Sequence, residues 1–297
     1  MISVVRYVFI HSAKVDALSL REQVTGQLKK IDRGVEYDFY AAKDAEDALR
    51  HVSLYCDLHP EIHTCFVACG DDALTGAVAA GLMGAGEGKT LAVFDPSGRN
   101  SLSKDYEGRD FGSISNLLAG AATDLDMIRV NDSYAVNACT FALEDLEEGG
   151  NAGLLHSMST VLRSSFRSIR ISADGTPLDT GAVLLFTVSN GRYSSGGRLL
   201  APQAVNDDGM MDVCIIRNMS PTRLMKILPL LSRGTLAEDT AFSGDLILRK
   251  AKSLRIESPK DITLSADGTL LTGKEFNIRV IHDAIRMVVP AKTVETP

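Results

Sequence analysis

The chain has 297 residues, of which 45% are hydrophobic and 23% charged, and its formal net charge is −7. This length allows roughly two domains, each with its own core. The negative charge argues against a protein that grips nucleic acid over a broad basic face, but it leaves a small phosphorylated ligand open. No stretch approaches the ~20 consecutive apolar residues of a membrane-spanning helix, so we expect a cytoplasmic protein.

The cysteine pattern gives no sign of a disulfide framework or a zinc site. The five cysteines are scattered along the chain, and no two of them form a Cys-x-x-Cys pair. They are Cys56, Cys65, Cys69, Cys139 and Cys214. The pattern predicts free thiols in the core. The apolar segment 2–10 is short and interrupted by Arg6, which favours a first strand over a signal peptide.

Strands alternate with helices in the first 126 residues. Strand-like apolar runs are predicted at 4–11, 37–40, 65–68 and 90–94, and helical spacing of apolar residues at 18–31, 45–56 and 74–82. This alternation predicts an α/β domain with an open parallel sheet. Ligands of such sheets bind beyond the carboxyl ends of the strands. We therefore expect the loops after the third and fourth strands to be neighbours.

The stretch from Cys65 to Leu82 reads as strand, tight turn and helix, with Gly70, Asp71 and Asp72 in the turn. Such a turn directs unpaired backbone N–H groups and the positive end of the helix dipole at one spot, which suits a phosphate. Alternatively, one of the two aspartates only caps the helix. The sequence leaves both interpretations open.

The loop after the fourth strand, from Asp95 to Ser101, consists of small and polar residues. Backbone N–H groups in such a loop are able to bind an anion, and Arg99 would add a positive charge. An ordinary surface loop has the same composition. Only its expected position in the sheet favours a functional role.

From about Met127 the sequence changes to short β-branched runs separated by Asn, Asp and Gly. The runs lie at 127–130, 134–140, 168–172, 183–189, 211–216, 253–257 and 276–281. This texture predicts an antiparallel β-sandwich or barrel, with helices at 154–166 and 222–234, the second interrupted at Pro229. We expect an α/β nucleotide-binding-like domain at 1–126 and a β-sandwich domain at 127–287, with 288–297 returning to the first domain.

Asp-Gly pairs mark several turns in this half. Asp174-Gly175 and Asp267-Gly268 are predicted hairpin turns, because both positions must tolerate positive φ. The cluster from Val205 to Met210 also precedes a strand. Its carboxylates and carbonyls suit a hard cation, but a plain turn explains it equally well.

Taken together, these pieces resemble the bacterial diacylglycerol kinase and related lipid kinase family. The matching segments follow the family's order: 69–73, 95–106, Val130-Asn131 leading into Asn137, Asn190-Gly191, 200–202, Asp208-Gly209 and 266–268. The resemblance implies a NAD kinase/diacylglycerol kinase-like fold: an N-terminal α/β domain with an open parallel sheet and a C-terminal antiparallel β-sandwich, with the active site in the cleft between them. It also implies phospholipid metabolism: transfer of the ATP γ-phosphate to a lipid such as diacylglycerol with Mg²⁺, and transient contact with a membrane surface. A homodimer is compatible with it.

The resemblance places the nucleotide at the two loops described above. The implied cofactor-binding positions are Gly70, Asp71, Asp72, Ala73, Ser97, Gly98 and Asn100. The family's Gly-Gly-Asp-Gly-Thr reads Cys-Gly-Asp-Asp-Ala here, so Asp72 puts a carboxylate where a phosphate would approach closely. In the second loop only the family's asparagine is retained, as Asn100.

The implied catalytic motif and metal site lie in the second half. The family's Asp-Gly-Glu appears as Asp267-Gly268-Thr269. Asp267 remains as the implied base, whereas the hydroxyl of Thr269 is not basic near neutral pH. The implied metal ligands are the carboxylate of Asp208 and the carbonyls of Val205 and Met210.

These replacements leave two functional hypotheses open. The first is an ATP-dependent lipid kinase of the diacylglycerol kinase type. The second is a pseudokinase of the same fold that binds a lipid or a protein partner. Losing one preorganised electrostatic group typically costs ~10²–10³ in rate, so several losses in one pocket are able to abolish transfer.

Overall fold

A computed structural model describes residues 5–13, 17–31, 34–141, 169–194, 197–236 and 239–292. The chain divides into two compact units. One comprises residues up to Leu125 together with those from Asp283 onward, and the other runs from Asp126 to His282. The helix predicted at 154–166 lies outside the described residues.

The first unit contains a parallel sheet. Its elements are β1 (Arg6–Ser12), α1 (Ala17–Ile31), β2 (Glu36–Ala42), α2 (Ala45–Leu58), β3 (Thr64–Cys69), α3 (Asp72–Gly81), β4 (Lys89–Val93), α4 (Ser101–Lys104) and α5 (Ile114–Leu118). The strands are parallel in the order β2-β1-β3-β4. Every residue of β3 is buried, as expected for a central strand covered on both faces. The predicted parallel sheet is confirmed, whereas the short helices α4 and α5 were not predicted.

The second unit is built on antiparallel strands. The elements from residue 121 onward are β5 (Ala121–Val130), β6 (Ser133–Ala135), β7 (Ala138–Phe141), β8 (Arg170–Ala173), β9 (Thr176–Pro177), β10 (Val183–Ser189), β11 (Tyr193–Ser194), β12 (Arg198–Leu199), β13 (Met211–Arg217), α6 (Pro221–Arg233), β14 (Leu246–Ala251), β15 (Ser253–Ala266) and β16 (Thr269–Val289). The main order is β14-β13-β10-β7-β15-β16, and β8 pairs with β15. Alternating apolar side chains of these strands form its core, including Phe186, Leu254 and Phe276. Along the chain, β5 begins in the first unit and ends in the second, and β16 does the reverse.

Two predicted elements differ in detail. The run predicted as one strand at 134–140 is divided into β6 and β7, because the N–H groups at the division bind the side chain of Asp267. The helix predicted to break at Pro229 continues through it as α6. Pro229 is exposed, so water is able to satisfy the carbonyl that loses its N–H partner.

The two Asp-Gly turns have the predicted backbone conformation. Asp174 and Asp267 have φ of 48° and 46°, and the glycines that follow have φ of 77° and 89°. Asp267-Gly268 connects β15 to β16, with Ala266 paired to Thr269 across the turn. The hairpin prediction is therefore confirmed for both pairs.

The cysteines are free, as predicted, and all except Cys214 are buried. Burial raises the pKa of the Cys65 thiol to about 12, and the desolvation of the partly buried Cys214 thiol raises its pKa to about 12 as well. Among the helices that the structure describes, none combines the length and apolarity required to span a bilayer.

Candidate functional site

The turn after β3 is organised by the cap of α3. Asp71 is the N-cap residue, and its side chain accepts a hydrogen bond from the Leu74 N–H at 3.0 Å. The Asp71 carbonyl accepts from the hydroxyl of Thr75 at 3.0 Å. Gly70 is required just before the cap, because a Cβ there would lie 2.7 Å from a methyl carbon of Leu74. The capping interpretation thus holds for Asp71.

Asp72 has a different role, although it is adjacent in sequence. It is the first residue of α3 and is buried, with 8% of its surface exposed. One carboxylate oxygen accepts from the Ser101 N–H at 2.8 Å, and the other accepts from the Ser101 hydroxyl at 2.5 Å. Asp72 therefore joins the turn after β3 to the loop after β4.

Asn100 makes a second connection between the same two loops. It is the N-cap of α4, and its side-chain oxygen accepts from the N–H groups of Leu102 and Ser103. Its amide nitrogen donates to the Gly70 carbonyl at 3.2 Å and to the Thr75 hydroxyl at 2.8 Å. These contacts confirm the expectation that the loops after β3 and β4 are neighbours.

Asp95 organises the second loop from within. One carboxylate oxygen accepts from the Ser97 hydroxyl at 2.8 Å and the Arg99 N–H at 3.2 Å. The other accepts from the Asn100 N–H at 2.9 Å and the Ser103 hydroxyl at 2.7 Å. Burial disfavours the charged form of Asp95, but these four hydrogen bonds outweigh burial and hold its pKa below the ordinary value.

Together, two carboxylates and one amide oxygen bind five consecutive backbone N–H groups, from Arg99 to Ser103. A nucleotide phosphate needs N–H groups of this kind. Here they are occupied, and a phosphate would also lie beside two buried negative charges. The second loop therefore does not fit a phosphate in the arrangement observed, and a nucleotide would bind there only after Asp72 left Ser101.

The remaining predicted positions in this unit add little to anion binding. Ala73 lies in the first turn of α3 and has no polar side-chain atom. The Ser97 hydroxyl is directed at Asp95. Gly98 adopts a φ of 64°, which explains the glycine.

In the second unit, Asp267 is held by the backbone of the segment between β6 and β7. It is 7% exposed, and its carboxylate accepts from the N–H groups of Val136 at 2.5 Å, Asn137 at 3.1 Å and Ala138 at 3.0 Å. The carboxylate therefore fixes this bend in the chain. Thr269, at the family's Glu position, is exposed at the start of β16.

The predicted metal ligand Asp208 has a cationic partner within the chain. Its carboxylate accepts from the Lys250 ammonium at 2.6 Å, and Asp212 lies 3.3 Å from the same nitrogen. Burial lowers the pKa of Lys250, but its contacts with Asp208 and Asp212 outweigh this and raise it overall. The residues present do not fit a divalent cation here, because the ammonium already neutralises the carboxylate that would bind it. Val205 and Met210 flank the turn, and the Met210 N–H donates to Asp208 at 2.9 Å.

Asp126 is a structural residue of this unit that the sequence did not reveal. It is fully buried in β5 and accepts from the Gly209 N–H at 2.7 Å. Its other oxygen lies 2.8 Å from Nδ1 of His282. The one available signal was an aspartate directly before the apolar run 127–130. Asp126 thus anchors the turn that contains Asp208 and Gly209.

Comparison with known proteins relates both units to one group. Residues 135–289 match the family of YegS C-terminal NAD kinase β-sandwich-like domains. The chain is 26% identical to a Xanthomonas euvesicatoria protein described as a probable lipid kinase, YegS-like, and the match covers 96% of each chain. A Pectobacterium atrosepticum protein of the same description is 31% identical over 58% of this chain and 59% of its own.

A solved structure extends the likeness in three dimensions. A diacylglycerol kinase from Bacillus anthracis superposes with a TM-score of 0.74 at 17% identity, covering 97% of this chain and 98% of that one. This similarity confirms the predicted fold class, an α/β domain with a parallel sheet and a C-terminal antiparallel β-sandwich-like domain.

Proposed function

We propose a function for this chain, which belongs to the lipid kinase family with the YegS C-terminal NAD kinase β-sandwich-like domain. It transfers a phosphoryl group to the hydroxyl of a lipid such as diacylglycerol. The observation that carries the proposal is the match over 96% of both chains to a relative described as a probable lipid kinase, because it includes both units. ATP would supply the phosphoryl group, and Mg²⁺ would neutralise the negative charge of its phosphates.

Within the chain, we assign proton acceptance from the lipid hydroxyl to Asp267. It is the carboxylate retained from the family's Asp-Gly-Glu motif, and three backbone N–H groups hold it in a fixed position. Thr269 does not take this role, because a hydroxyl is not a base at neutral pH. Asp267→Asn is therefore expected to abolish transfer while leaving nucleotide binding unchanged.

A second candidate function is a non-catalytic lipid- or protein-binding module. The observation that favours it is the occupation of the N–H groups from Arg99 to Ser103 by Asp72, Asp95 and Asn100. A chain that supplies its own anion at this position has no need of a nucleotide to complete the loop.

Two measurements on the purified full-length chain separate the candidates. Titration calorimetry with ATP and Mg²⁺ measures binding, and transfer of radiolabelled phosphate to vesicles containing diacylglycerol measures catalysis. Binding together with transfer supports the kinase. Absence of both at saturating ATP rejects the kinase in favour of the binding module.

A variant with the family's residues restored tests the cause of any loss of nucleotide binding. Asp72→Gly, Ala73→Thr and Thr269→Glu together restore the family's residues at three positions. If the replacements named above are responsible, the triple variant gains ATP binding that the unmodified chain lacks. Asp72→Asn is the matched control, because it keeps the side-chain size and removes only the charge.

A further inference from the structure

An open groove of about 780 Å³ lies on the second unit, and none of the predicted site residues lines it. Three arginines line it: Arg129 of β5, Arg255 of β15 and Arg279 of β16. Its other polar lining residues are Asn131, Asp132, Ser172, Ser253 and Asn277. We call this feature the arginine groove.

Strand pairing brings these side chains onto one exposed face of the sheet. Arg255 is paired with Asn277, and Ser253 is paired with Arg279. Leu254 between them is buried in the core, so Ser253 and Arg255 share the outer face. Paired Cβ atoms lie ~5 Å apart and diagonal neighbours ~7–8 Å, so both guanidinium groups are able to reach one phosphate.

The positive charge of the groove is only partly compensated. Among the described residues, Arg279 has no ion-pair or hydrogen-bond partner for its side chain. Arg129 donates to the Asn131 carbonyl at 2.6 Å and is 3.3 Å from Asp132, whose side chain is fully exposed. Such exposed pairs contribute little and are readily exchanged for another anion. Arg255 is more strongly held, at 2.7 Å from Glu275 and 3.0 Å from Glu257.

We propose that the arginine groove binds the phosphate of anionic phospholipid headgroups at a bilayer surface. Guanidinium groups bind phosphate oxygens in pairs, and the Ser172 hydroxyl and the Asn277 amide beside them supply further donors. The chain as a whole carries a net charge of −7, so a basic groove localises its attraction to an anionic surface. The inference rests on the proposed function, since a lipid kinase meets its substrate at a bilayer.

The groove is open, and the side chains that line it project from a sheet surface. A headgroup presented by a bilayer is able to enter such a groove without being enclosed. A small soluble phosphate would need more surrounding donors to compensate for its lost hydration. The geometry thus favours a headgroup over a free phosphate compound.

Vesicle co-sedimentation of the full-length chain, without nucleotide, tests the proposal. Vesicles of phosphatidylcholine alone are compared with vesicles that also contain phosphatidylglycerol. We expect binding to the second kind only, weakening as salt is added. Arg279→Gln should weaken it about five-fold and the pair Arg129→Gln/Arg279→Gln about twenty-five-fold, since one basic residue near an anionic surface contributes ~1 kcal/mol.

Arg249→Gln is the matched control. Arg249 is an exposed strand residue of the same unit, on β14, and does not line the groove. An equal loss of binding in Arg249→Gln would show that only net charge matters and would overturn the proposal. Unchanged binding of the double variant, with an unchanged melting curve, would also overturn it.

An experiment with a soluble phosphate compound distinguishes a lipid headgroup from a free phosphate compound as the occupant of the groove. Glycerol 3-phosphate is titrated against the chain by calorimetry. Tight binding of this compound that Arg279→Gln removes, without any binding to phosphatidylglycerol vesicles, would reject the headgroup as the occupant. If the unmodified chain binds the vesicles but transfers no phosphate, the proposal for the arginine groove stands and only the kinase proposal is rejected.

Discussion

The carboxylate of Asp72 accepts hydrogen bonds from both the backbone N–H and the hydroxyl of Ser101, at 2.8 and 2.5 Å. Ser101 is the first residue of α4, so its N–H is one of those that a helix leaves without an internal partner. An aspartate 29 positions earlier in the chain satisfies it here. The chain thereby places a negative charge of its own at the start of α4.

Replacing Asp72 should separate stability from anion binding. Asp72→Gly leaves the Ser101 N–H and hydroxyl without an acceptor, and hydrogen bonds to charged groups contribute ~1.5–3 kcal/mol each. We expect a lower melting temperature in buffer and a partial recovery on adding ATP or inorganic phosphate. Differential scanning fluorimetry measures both. A variant that melts lower but does not respond to either anion would contradict the role assigned to this carboxylate.

Removing the Asp267 side chain should destabilise the second unit. Asp267→Ala leaves three buried N–H groups without an acceptor, which we expect to cost about 3 kcal/mol or more in the free energy of unfolding. Asp267→Asn keeps one oxygen and should cost less. Urea unfolding followed by circular dichroism measures the difference.

The related turn provides a control for Asp267. Asp174 has a similar φ and accepts from the N–H groups of Lys252 and Ser253, but on an exposed surface. Asp174→Ala should therefore cost clearly less than Asp267→Ala. Equal costs would mean that the bend at Val136–Ala138 does not depend on the buried carboxylate.

Lys250 should make the turn at Asp208 independent of divalent cations. We expect the melting temperature of the unmodified chain to be unaffected by EDTA, Mg²⁺ or Ca²⁺. Lys250→Met leaves Asp208 and Asp212 uncompensated, so this variant should be stabilised by millimolar Ca²⁺ or Mg²⁺. Lys252→Met, an exposed lysine nearby, should show no such response. A lower melting temperature of the unmodified chain on adding EDTA would contradict the conclusion that Lys250, and not a metal ion, neutralises Asp208.

The first unit should lose stability in acid through Asp95. Its pKa is lowered in the native chain, so the native state binds fewer protons there than the unfolded state does. The resulting stabilisation is complete above the ordinary aspartate pKa of ~3.9 and is lost as the pH falls from there through the lower native pKa.

Asp95→Asn should therefore unfold at lower urea concentration at neutral pH and depend less on pH in that acid range. Asp57→Asn, an exposed aspartate at the end of α2, is the control for the change in charge. If the stability of Asp95→Asn and of the unmodified chain falls equally with acid, another carboxylate is responsible.

Local signals in the sequence were sufficient for most of the fold. The continuous apolar run before Gly70 indicated a buried parallel strand, and helical spacing after it indicated α3. The Asp-Gly pairs at Asp174 and Asp267 indicated tight turns, because few residue pairs tolerate positive φ twice. These features depend on residues a few positions apart, so one sequence is enough to reveal them.

The roles of the polar side chains were harder to predict from the sequence. Capping by Asp71 and cross-linking by Asp72 differ by a single position, and the partner of Asp72 is 29 residues away. The division between β6 and β7 is caused by Asp267, 130 residues beyond Asn137. Pairing of Lys250 with Asp208 depends in turn on the register of β14 against β13. Such partners are fixed by tertiary structure, and no local pattern identifies them.

The burial of the cysteines gives each unit its own reporter of opening. Cys56, Cys65 and Cys69 are buried in the first unit, and Cys139 is buried in the second. A thiol reacts as the thiolate, so side chains with a raised pKa and little access to water stay inert until the surrounding structure unfolds. Maleimide labelling followed by peptide mass spectrometry would therefore measure when each unit loses its structure, without any introduced probe.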